Sequence, residues 1–240
     1  MDIKWLLSTP IAHRGLHGNG IPENSLLAFE AAINHGYSIE TDVRLTKDGV
    51  LVCFHDDTAL RMTGNPAAII DLTYNELCQL SLADTDQKVP TFNQLLSLTD
   101  GKVGLLIEIK NTGSTGLLEQ TLLNELQGYT GQYAIQSFNP LSVAWFYKNA
   151  PHITRGILST PVMDVNMSGI KKWLLKKMVL NALAHPDFIA YDELHLPSKM
   201  VARRHKPTLA WTVRSQERAD TLTQNGWADN VIFENFNAQK

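Results

Sequence analysis

Residues 38–56 read S-I-E-T-D-V-R-L-T-K-D-G-V-L-V-C-F-H-D and predict two short strands joined by a tight turn. An Asp-Gly pair between two apolar runs indicates the turn. Glu40 and Asp42 lie two residues apart on the first strand, so both carboxylates point to the same face. His55 follows the end of the second strand. This stretch therefore brings together three side chains that can carry out chemistry.

The paired carboxylates of Glu40 and Asp42 favour either a shared proton or a bound metal ion, because like charges this close repel each other. With His55 nearby, acid–base chemistry at such an ion is the functional interpretation. The alternative, from this stretch alone, is a surface strand whose acidic residues only form salt bridges.

The chain before this stretch supplies a strand and a helix. Residues 11–13 form a short apolar strand, and Asn24 or Ser25 is the predicted N-cap of a helix that Gly36 ends. The order strand, helix, strand is the pattern of a parallel βαβ unit.

The alternation of strand and helix continues to the end of the chain, and each of eight predicted strands except the last is followed by a helix. This pattern predicts an α/β fold, a (β/α)8 or TIM barrel. Residues 57–90 are rich in turns and are expected to be a small insertion after the second strand. We expect a single barrel domain over 1–240. The predicted strands are 11–13, the strand beginning at 38, 103–109, 133–137, 154–158, 188–191, 208–213 and 231–233.

The composition is that of an ordinary globular protein, with 44% hydrophobic and 19% charged residues. The net charge of −3 provides no general attraction to nucleic acid, so no nucleic-acid partner is expected. Cys53 and Cys78 lack metal-ligand spacing and are expected to be reduced thiols of a cytoplasmic protein. The N-terminal apolar run is too short for a signal peptide, and no stretch reaches the length of a membrane span.

The basic stretch 171–178, K-K-W-L-L-K-K-M, lies in a predicted helix over 170–183. Its lysines do not separate onto one face, because Lys177 falls among apolar positions. An exposed helix or a loop at the rim of the site is therefore favoured, and contact with anionic lipid headgroups is the alternative.

In a TIM barrel the active site lies at the C-terminal ends of the strands. The polar residues at those predicted ends form one candidate site, although they are far apart in the sequence. Its three carboxylates provide oxygen ligands, which suit one divalent cation such as Mg²⁺ or Ca²⁺ better than zinc. The candidate residues are His13, Arg14, Glu40, Asp42, His55, Glu108, Lys110, Gln136 and Trp211.

Arg14 and Lys110 add the positive charge that an anionic, phosphate-bearing substrate requires. His13 and His55 form a pair for general base and general acid, and either could take either role. Such a set fits cleavage of a phosphate ester, in which the metal and the cations stabilise charge on the phosphate oxygens. Several residues have structural alternatives: Glu108 and Lys110 could end an ordinary strand, and Gln136 and Trp211 could pack the barrel. The other histidines, His17, His35, His152, His185, His195 and His205, are expected to be structural or on the surface.

These residues lie in motifs that resemble the bacterial glycerophosphodiester phosphodiesterases. The resemblance covers nearly the whole chain, and the combination of motifs is much more specific than H-R-G alone. The motifs, in order, are H-R-G, P-E-N-S, I-E-T-D-V-R-L-T-K-D-G, F-H-D, V-P-T-F, I-E-I-K, Q-S-F-N-P and A-W-T.

The resemblance implies a TIM barrel with a small insertion, and hydrolysis of glycerophosphodiesters to sn-glycerol 3-phosphate and an alcohol. A small glycerophosphodiester is thus the expected partner. The nucleophile would be water or the glycerol hydroxyl beside the ester, which would give a cyclic phosphate. By matching positions, Glu40, Asp42 and Glu108 would be the metal ligands, and His13 and His55 would be the catalytic pair. Arg14 and Lys110 would contact the phosphate. Gln136 and Trp211, at predicted strand ends, are also expected to contact the substrate.

The chain departs from the family at two places. After H-D it reads A-L-R-M-T where L-T-R-T-T is frequent. Its last strand reads D-N-V-I-F-E-N-F, with Glu234 where the family has aspartate and without the usual proline. We therefore assign no role to the last strand.

Two alternative functions remain from the sequence. A phospholipase D-like or C-like relative would act on lysophospholipids and needs an apolar surface near the barrel mouth, for which 57–90 and 161–180 are the candidates. A non-catalytic phosphate-binding module is disfavoured, because no histidine or carboxylate of the predicted site is missing.

Overall fold

The computed structural model describes residues 3–111, 113–161 and 181–239. Within these residues eight parallel strands form a ring, and they are β1 (Ile11–Ala12), β2 (Ser38–Leu45), β4 (Leu105–Ile109), β5 (Tyr133–Ser137), β6 (Arg155–Ser159), β7 (Phe188–Asp192), β8 (Thr208–Val213) and β9 (Asn230–Phe233). The ring closes because β1 pairs with both β2 and β9. This closure confirms the predicted TIM barrel.

The strand β3 (Leu51–Cys53) lies outside this ring and pairs antiparallel with β2. It is the second strand of the predicted Asp-Gly hairpin. The insertion follows it and contains α3 (Leu60–Thr63), a 3-10 turn at Ile69–Asp71 and α4 (Tyr74–Leu77). A separate apolar cluster, which includes Val52 on β3, holds these short elements against the hairpin.

The remaining helices cover the outside of the ring or close its ends. Local caps explain where several of them begin: the Ser25 hydroxyl accepts the Ala28 N–H, and Thr91 forms a capping box with Gln94. These helices are α1 (Lys4–Ser8), α2 (Leu26–Asn34), α5 (Phe92–Thr99), α6 (Leu117–Glu125), α7 (Pro140–Asn149), α8 (Asn181–Ala184), α9 (Lys199–Ala202) and α10 (Gln216–Gln224).

The strands carry carboxylates into the barrel because side chains alternate between its two faces. In the register of β2 with β4, Glu40 lies opposite Leu106, and Asp42 lies opposite Glu108. Leu106 belongs to the apolar cluster inside the ring, and Glu108 lies two residues nearer the C-terminal end of the same strand. The interior is therefore apolar at one end and acidic at the other.

The apolar end of the barrel is closed by α1, a helix that the sequence patterns did not predict. Trp5 and Leu6 of α1 pack in the interior cluster with Leu106. Gly104 permits this contact, because a Cβ there would lie 2.1 Å from the Trp5 ring. At the opposite, acidic end, Glu108 lines an open cavity.

The basic stretch 171–178 lies outside the described residues, as does most of the predicted helix over 170–183. Its last part appears as α8. In the described part of the chain, no helix combines the length and the apolar character that crossing a membrane requires.

Candidate active site

Three buried carboxylates form a cluster at the C-terminal ends of β2 and β4. Glu40, Asp42 and Glu108 each offer one oxygen atom, and these oxygens all lie within 4.8 Å of one another. The three residues are 1%, 1% and 8% exposed. The structure thus brings the three predicted carboxylates together, and their role as metal ligands stays a prediction.

The charges of these acids repel each other in a site that excludes water. Burial, followed by the charges of Asp42 and Glu108, raises the pKa of Glu40 well above its ordinary value. Burial also raises the pKa of Glu108. Burial alone would raise the pKa of Asp42 too, but Lys110, Arg14 and His55 hold it well below its usual range. The pKa shifts of the three acids thus run in opposite directions, and Asp42 is the acid whose charged form its basic neighbours stabilise.

The donor atoms of the cluster fit a divalent cation. All are carboxylate oxygens, the ligands preferred by Mg²⁺ and Ca²⁺. Asp42 Oδ1 is buried and has no hydrogen-bond partner among the residues that the structure describes. An ion pair with Lys110 Nζ at 3.4 Å compensates this oxygen here, and a bound cation would be a closer partner.

Two basic side chains lie against the carboxylates. Lys110 Nζ donates to Glu108 Oε1 at 2.8 Å and lies 3.4 Å from Asp42 Oδ1. Arg14 Nε lies 3.3 Å from Asp42 Oδ2, and the Arg14 backbone N–H donates to Glu40 Oε2 at 3.0 Å. Both side chains are largely buried, at 12% and 15% exposed. Positive charge therefore surrounds the acidic cluster at short range.

The P-E-N-S motif does more than cap a helix. Ser25 is the cap, whereas the Asn24 side chain donates to Asp42 Oδ2 at 2.9 Å and accepts from the Thr41 hydroxyl at 2.8 Å. Glu23 accepts from Arg14 Nη1 at 2.7 Å. Asn24, one of the two predicted helix caps, therefore orients Asp42, and Glu23 orients Arg14.

His13 follows β1, and a carboxylate holds one of its ring nitrogens. Its Nδ1 lies 2.6 Å from Glu234 Oε2. Burial lowers the pKa of His13, and the hydrogen bond to Glu234 opposes this effect. The contacts of His13 and His17 in turn hold the pKa of Glu234 far below its ordinary value. A charged carboxylate on Nδ1 leaves Nε2 for proton transfer.

His55 has the same arrangement on the other side of the site. Its Nδ1 lies 2.6 Å from Asp56 Oδ1. Burial lowers the pKa of His55, although the charge of Asp42 opposes the shift. His55 was placed at the site because it follows a strand, but β3 is not a barrel strand. It runs antiparallel, so its end returns to the level of Asp42, where the Phe54 N–H donates to the Asp42 carbonyl.

An open cavity of about 310 Å³ lies beside this group of residues. His55, Glu108, Lys110 and Asn139 contribute polar groups to its wall, and Phe138 contributes an aromatic ring. The cavity has the size of a small polar ligand rather than of a macromolecule.

Residues 13–237 match the family model described as the glycerophosphoryl diester phosphodiesterase family. The chain belongs to this family. Membership confirms the resemblance seen in the motifs and the prediction that the chain is a phosphoric diester hydrolase.

Relatives of this phosphodiesterase family cover most of the chain. The YhdW protein of Bacillus subtilis, whose own name as a glycerophosphodiester phosphodiesterase is provisional, is 30% identical over 92% of this chain and 92% of its own length. The glycerophosphodiester phosphodiesterase of Caldanaerobacter subterraneus is 35% identical over 62% of this chain and 65% of its own length. Among solved structures, an Oleispira antarctica phosphodiesterase with its product sn-glycerol-3-phosphate superimposes with a TM-score of 0.81, at 23% identity, over 95% of this chain and 93% of the other.

The two weakest site predictions in this phosphodiesterase involve Gln136 and Trp211. Gln136 lies opposite Glu108 in the β4–β5 register and is buried. The Trp211 ring packs edge-on against Phe138 in the cavity wall. Gln136 Oε1 and Trp211 Nε1 are both buried and have no hydrogen-bond partner in the described residues. Polar atoms left in this way suit a ligand better than simple barrel packing.

Two residues that sequence reasoning missed complete the phosphodiesterase site. Glu234 received no role, but it holds His13. Arg61 donates to Asp56 Oδ2 at 2.6 Å and to both oxygens of Glu23 at 2.7 and 3.0 Å. The signal for Glu234 was its place directly after the last strand, where barrel enzymes carry active-site residues. No local pattern marked Arg61.

Proposed function

We propose that this protein hydrolyses glycerophosphodiesters to sn-glycerol 3-phosphate and an alcohol, using a divalent cation and two histidines. One observation carries the proposal: the oxygens of three buried carboxylates, Glu40, Asp42 and Glu108, lie within 4.8 Å of one another. Glu108 lines the same cavity as His55, and the residue after His13 donates its backbone N–H to Glu40. Each histidine is held at Nδ1 by a carboxylate of its own. Family membership supports the same reaction.

Glu40, Asp42 and Glu108 would hold the cation, Mg²⁺ or Ca²⁺, through their clustered oxygens. When bound, the cation would offset the repulsion among the carboxylates and stabilise negative charge on the phosphate. In this proposal Asn24 fixes the side chain of Asp42, and the Arg14 backbone N–H fixes that of Glu40. The ligands are thus oriented before the cation arrives.

Arg14 and Lys110 would contact the phosphate oxygens. Both side chains already form ion pairs with Asp42. A bound phosphodiester would replace part of this ion pairing, so neither side chain would have to move from a distant position. Fixed positive groups in a site that excludes water stabilise charge that grows in the transition state. The amide of Gln136 and the indole N–H of Trp211 would bind the polar glycerol end.

The two histidines would move the protons. Burial lowers the pKa of both, so both are largely neutral at pH 7, and the Nε2 lone pair of a neutral imidazole can accept a proton. One histidine removes the proton from the nucleophile, which is water or the neighbouring glycerol hydroxyl. The other takes up a proton from solvent and gives it to the leaving alcohol. Where the hydroxyl is the nucleophile, water opens the resulting cyclic phosphate in a second step. Glu234 and Asp56 stabilise the protonated form of each ring.

A second candidate substrate is a lysophospholipid. An open groove of about 400 Å³ adjoins the site and lies between the insertion and α6. Ile70 and Leu117 line it and are 57% and 72% exposed. Exposed apolar residues beside a phosphate site are the feature that an acyl chain would require.

In this proposal the chain 1–240 acts as one barrel domain, with 57–90 as its insertion. Cys53 and Cys78 are free thiols, which agrees with the cytoplasm as the place of action.

The test is release of glycerol 3-phosphate from glycerophosphoethanolamine and glycerophosphocholine by the purified protein. Each reaction is run with Mg²⁺, with Ca²⁺ and with a chelator, and lysophosphatidylcholine is run in parallel. We expect release from the diesters that stops with the chelator and is lost in Glu40→Gln. Turnover of lysophosphatidylcholine alone would move the proposal to the lysophospholipid. If folded protein turned over neither the diesters nor lysophosphatidylcholine, both candidate functions would be contradicted.

A further inference from the structure

A second group of possible metal ligands lies beside the carboxylate cluster and has a different chemistry. It consists of His13, His17 and Glu234, which offer one ligand atom each, all within 4.8 Å of one another. His13 Nδ1 lies 2.6 Å, and His17 Nε2 lies 3.7 Å, from the same oxygen, Glu234 Oε2. The three side chains are only 12% to 16% exposed.

The nitrogen atoms of this group lie around one carboxylate oxygen, Glu234 Oε2. His17 Nε2 is buried and without a hydrogen-bond partner in the described residues, although it faces a carboxylate. Arg214 binds the other oxygen of Glu234, Oε1, through Nε at 2.9 Å and Nη2 at 2.8 Å. That contact turns Oε2 toward the two histidines, as outer hydrogen bonds do for the ligands of metal sites.

The loop that carries the histidines is itself constrained. Gly15 has φ of 78° and lies so close to Ala28 that a Cβ would come within 2.8 Å of the Ala28 backbone. The His17 N–H donates to the Gly15 carbonyl at 3.0 Å. His13 and His17 are therefore presented together by a tight turn.

Two imidazoles and one carboxylate form a donor set suited to zinc and related transition metals, whereas the all-oxygen cluster suits a hard cation. We propose that His13, His17 and Glu234 form a second metal site, which takes Zn²⁺ or a similar transition metal, and that its occupation inhibits the enzyme. The binding step stands without the proposed function. The inhibition rests on the proposed role of His13.

The inhibition follows from the atom that the metal takes. The ion bonds to the lone pair of His13 Nδ1, so the ring takes the tautomer whose proton is on Nε2, and the proton that Nδ1 shared with Glu234 is exchanged through solvent. Glu234 is then a metal ligand and no longer stabilises protonated His13. Nε2 then carries the ring proton and has no free lone pair with which to accept a proton from the nucleophile.

Binding is tested directly on the full-length protein with Zn²⁺ alone as the probe. Competition with a chromophoric zinc chelator gives the affinity, in excess Mg²⁺ to occupy the carboxylate cluster. We expect one Zn²⁺ per chain, and an affinity about tenfold or more weaker in His17→Ala. His152→Ala removes an exposed histidine before β6 and should bind like the wild type.

The Glu40→Gln variant separates the two metal sites, because it should weaken the Mg²⁺ response and leave zinc affinity unchanged. Unchanged affinity in folded His17→Ala, or loss of zinc in Glu40→Gln, would overturn the second site.

The inhibitory role has its own test: Zn²⁺ should inhibit the wild type, and His17→Ala should keep its turnover without zinc and resist inhibition. Zinc that binds through His17 without slowing turnover would overturn that role. If no diesterase activity exists, the binding result still decides the site.

Discussion

His13 Nδ1 and Glu234 Oε2 lie 2.6 Å apart, although 221 positions separate the two residues in the sequence. The contact follows from the closure of the barrel. β1 and β9 pair in parallel, with Ala12 opposite Phe233, so the next residue of each strand meets the other. The last strand of the barrel thus orients a side chain carried by the first.

Replacement of Glu234 by glutamine should impair proton transfer by His13. Glutamine keeps the size of the side chain but removes the charge that stabilises the protonated ring, so we expect kcat to fall by about 10²-fold. The hydrogen bond to Glu234 raises the pKa of His13, so its loss should move the His13 limb of the pH–rate profile to lower pH. Measurement of kcat between pH 5 and 9 checks both effects.

The matched variant is Glu234→Asp, which keeps the charge and restores the residue type expected for the family at this position. It should recover much of the lost rate. A Glu234→Gln enzyme with the wild-type rate and pH profile would show that the contact has no role in catalysis.

His13→Ala and His55→Ala should each give a folded protein whose turnover is lower by about 10²-fold or more. Each substitution removes a ring whose Nε2 is proposed to move a proton, and neither residue supports the core. Steady-state kinetics and thermal denaturation on the same samples separate activity from folding. A near-normal rate in either variant would remove that histidine from the mechanism.

Glu40→Gln should weaken the stabilisation of the protein by bound metal. It should not lower the stability of the metal-free protein. Burial, followed by the charges of Asp42 and Glu108, raises the pKa of Glu40, so glutamine replaces a carboxyl whose charged form this site destabilises. The metal-free variant should therefore melt at or above the wild-type temperature. Metal at 100 times its Kd stabilises a protein by about 2.7 kcal/mol, which should raise the wild-type Tm but hardly that of the variant.

Glu30→Gln is the control for this measurement, because Glu30 is exposed on α2. It should keep the full rise in Tm with Mg²⁺ or Ca²⁺. An equal rise in wild type and Glu40→Gln would contradict the assignment of Glu40 as a ligand.

Glu125 on α6 should make the stability of the protein fall between pH 5 and 7. Burial raises its pKa from 4.5 to about 7, and its Oε2 has no hydrogen-bond partner in the part of the chain described. The folded state therefore holds the proton more tightly than the unfolded state, and this stability is lost as the pH rises through 7.

Glu125→Gln should consequently be more stable than the wild type at pH 8, by about 1 kcal/mol after allowance for its partial exposure. The advantage should shrink toward pH 5, where the wild-type carboxyl is protonated. Thermal denaturation at both pH values measures the difference, with Glu30→Gln for comparison. An advantage of equal size at pH 5 and pH 8 would show that ionisation of the buried carboxyl is not its cause.

Arg61→Gln should lower kcat/KM by about fivefold with little change in Tm, because exposed ion pairs add little to stability. The Arg61 guanidinium joins Asp56, which holds His55, to Glu23, which holds Arg14. Its loss should leave the side chains of both His55 and Arg14 less firmly oriented. Arg61→Lys keeps the charge but lacks the planar guanidinium, so its kcat/KM should lie between those of the wild type and Arg61→Gln. Full activity in Arg61→Gln would show that this link is structural only.

Much of the barrel was predictable because strand and helix patterns are local. The bounds of β5 and β8 agree with the sequence prediction at both ends. The helix α1 was missed because its five residues are too few to show a helical period. Its place is set by the apolar interior that Trp5 fills.

The sequence by itself determined the βα alternation, the family and the residue types of the site, since spacing along a strand decides which side chains share a face. It placed Glu40 and Asp42 together without further information. Only the tertiary structure decided the partners of the histidines. The contact of His13 with Glu234 depends on which strands meet when the barrel closes, and the link through Arg61 depends on how the insertion folds back. Neither leaves a periodic signal, because each joins residues that are close in space and distant in the chain.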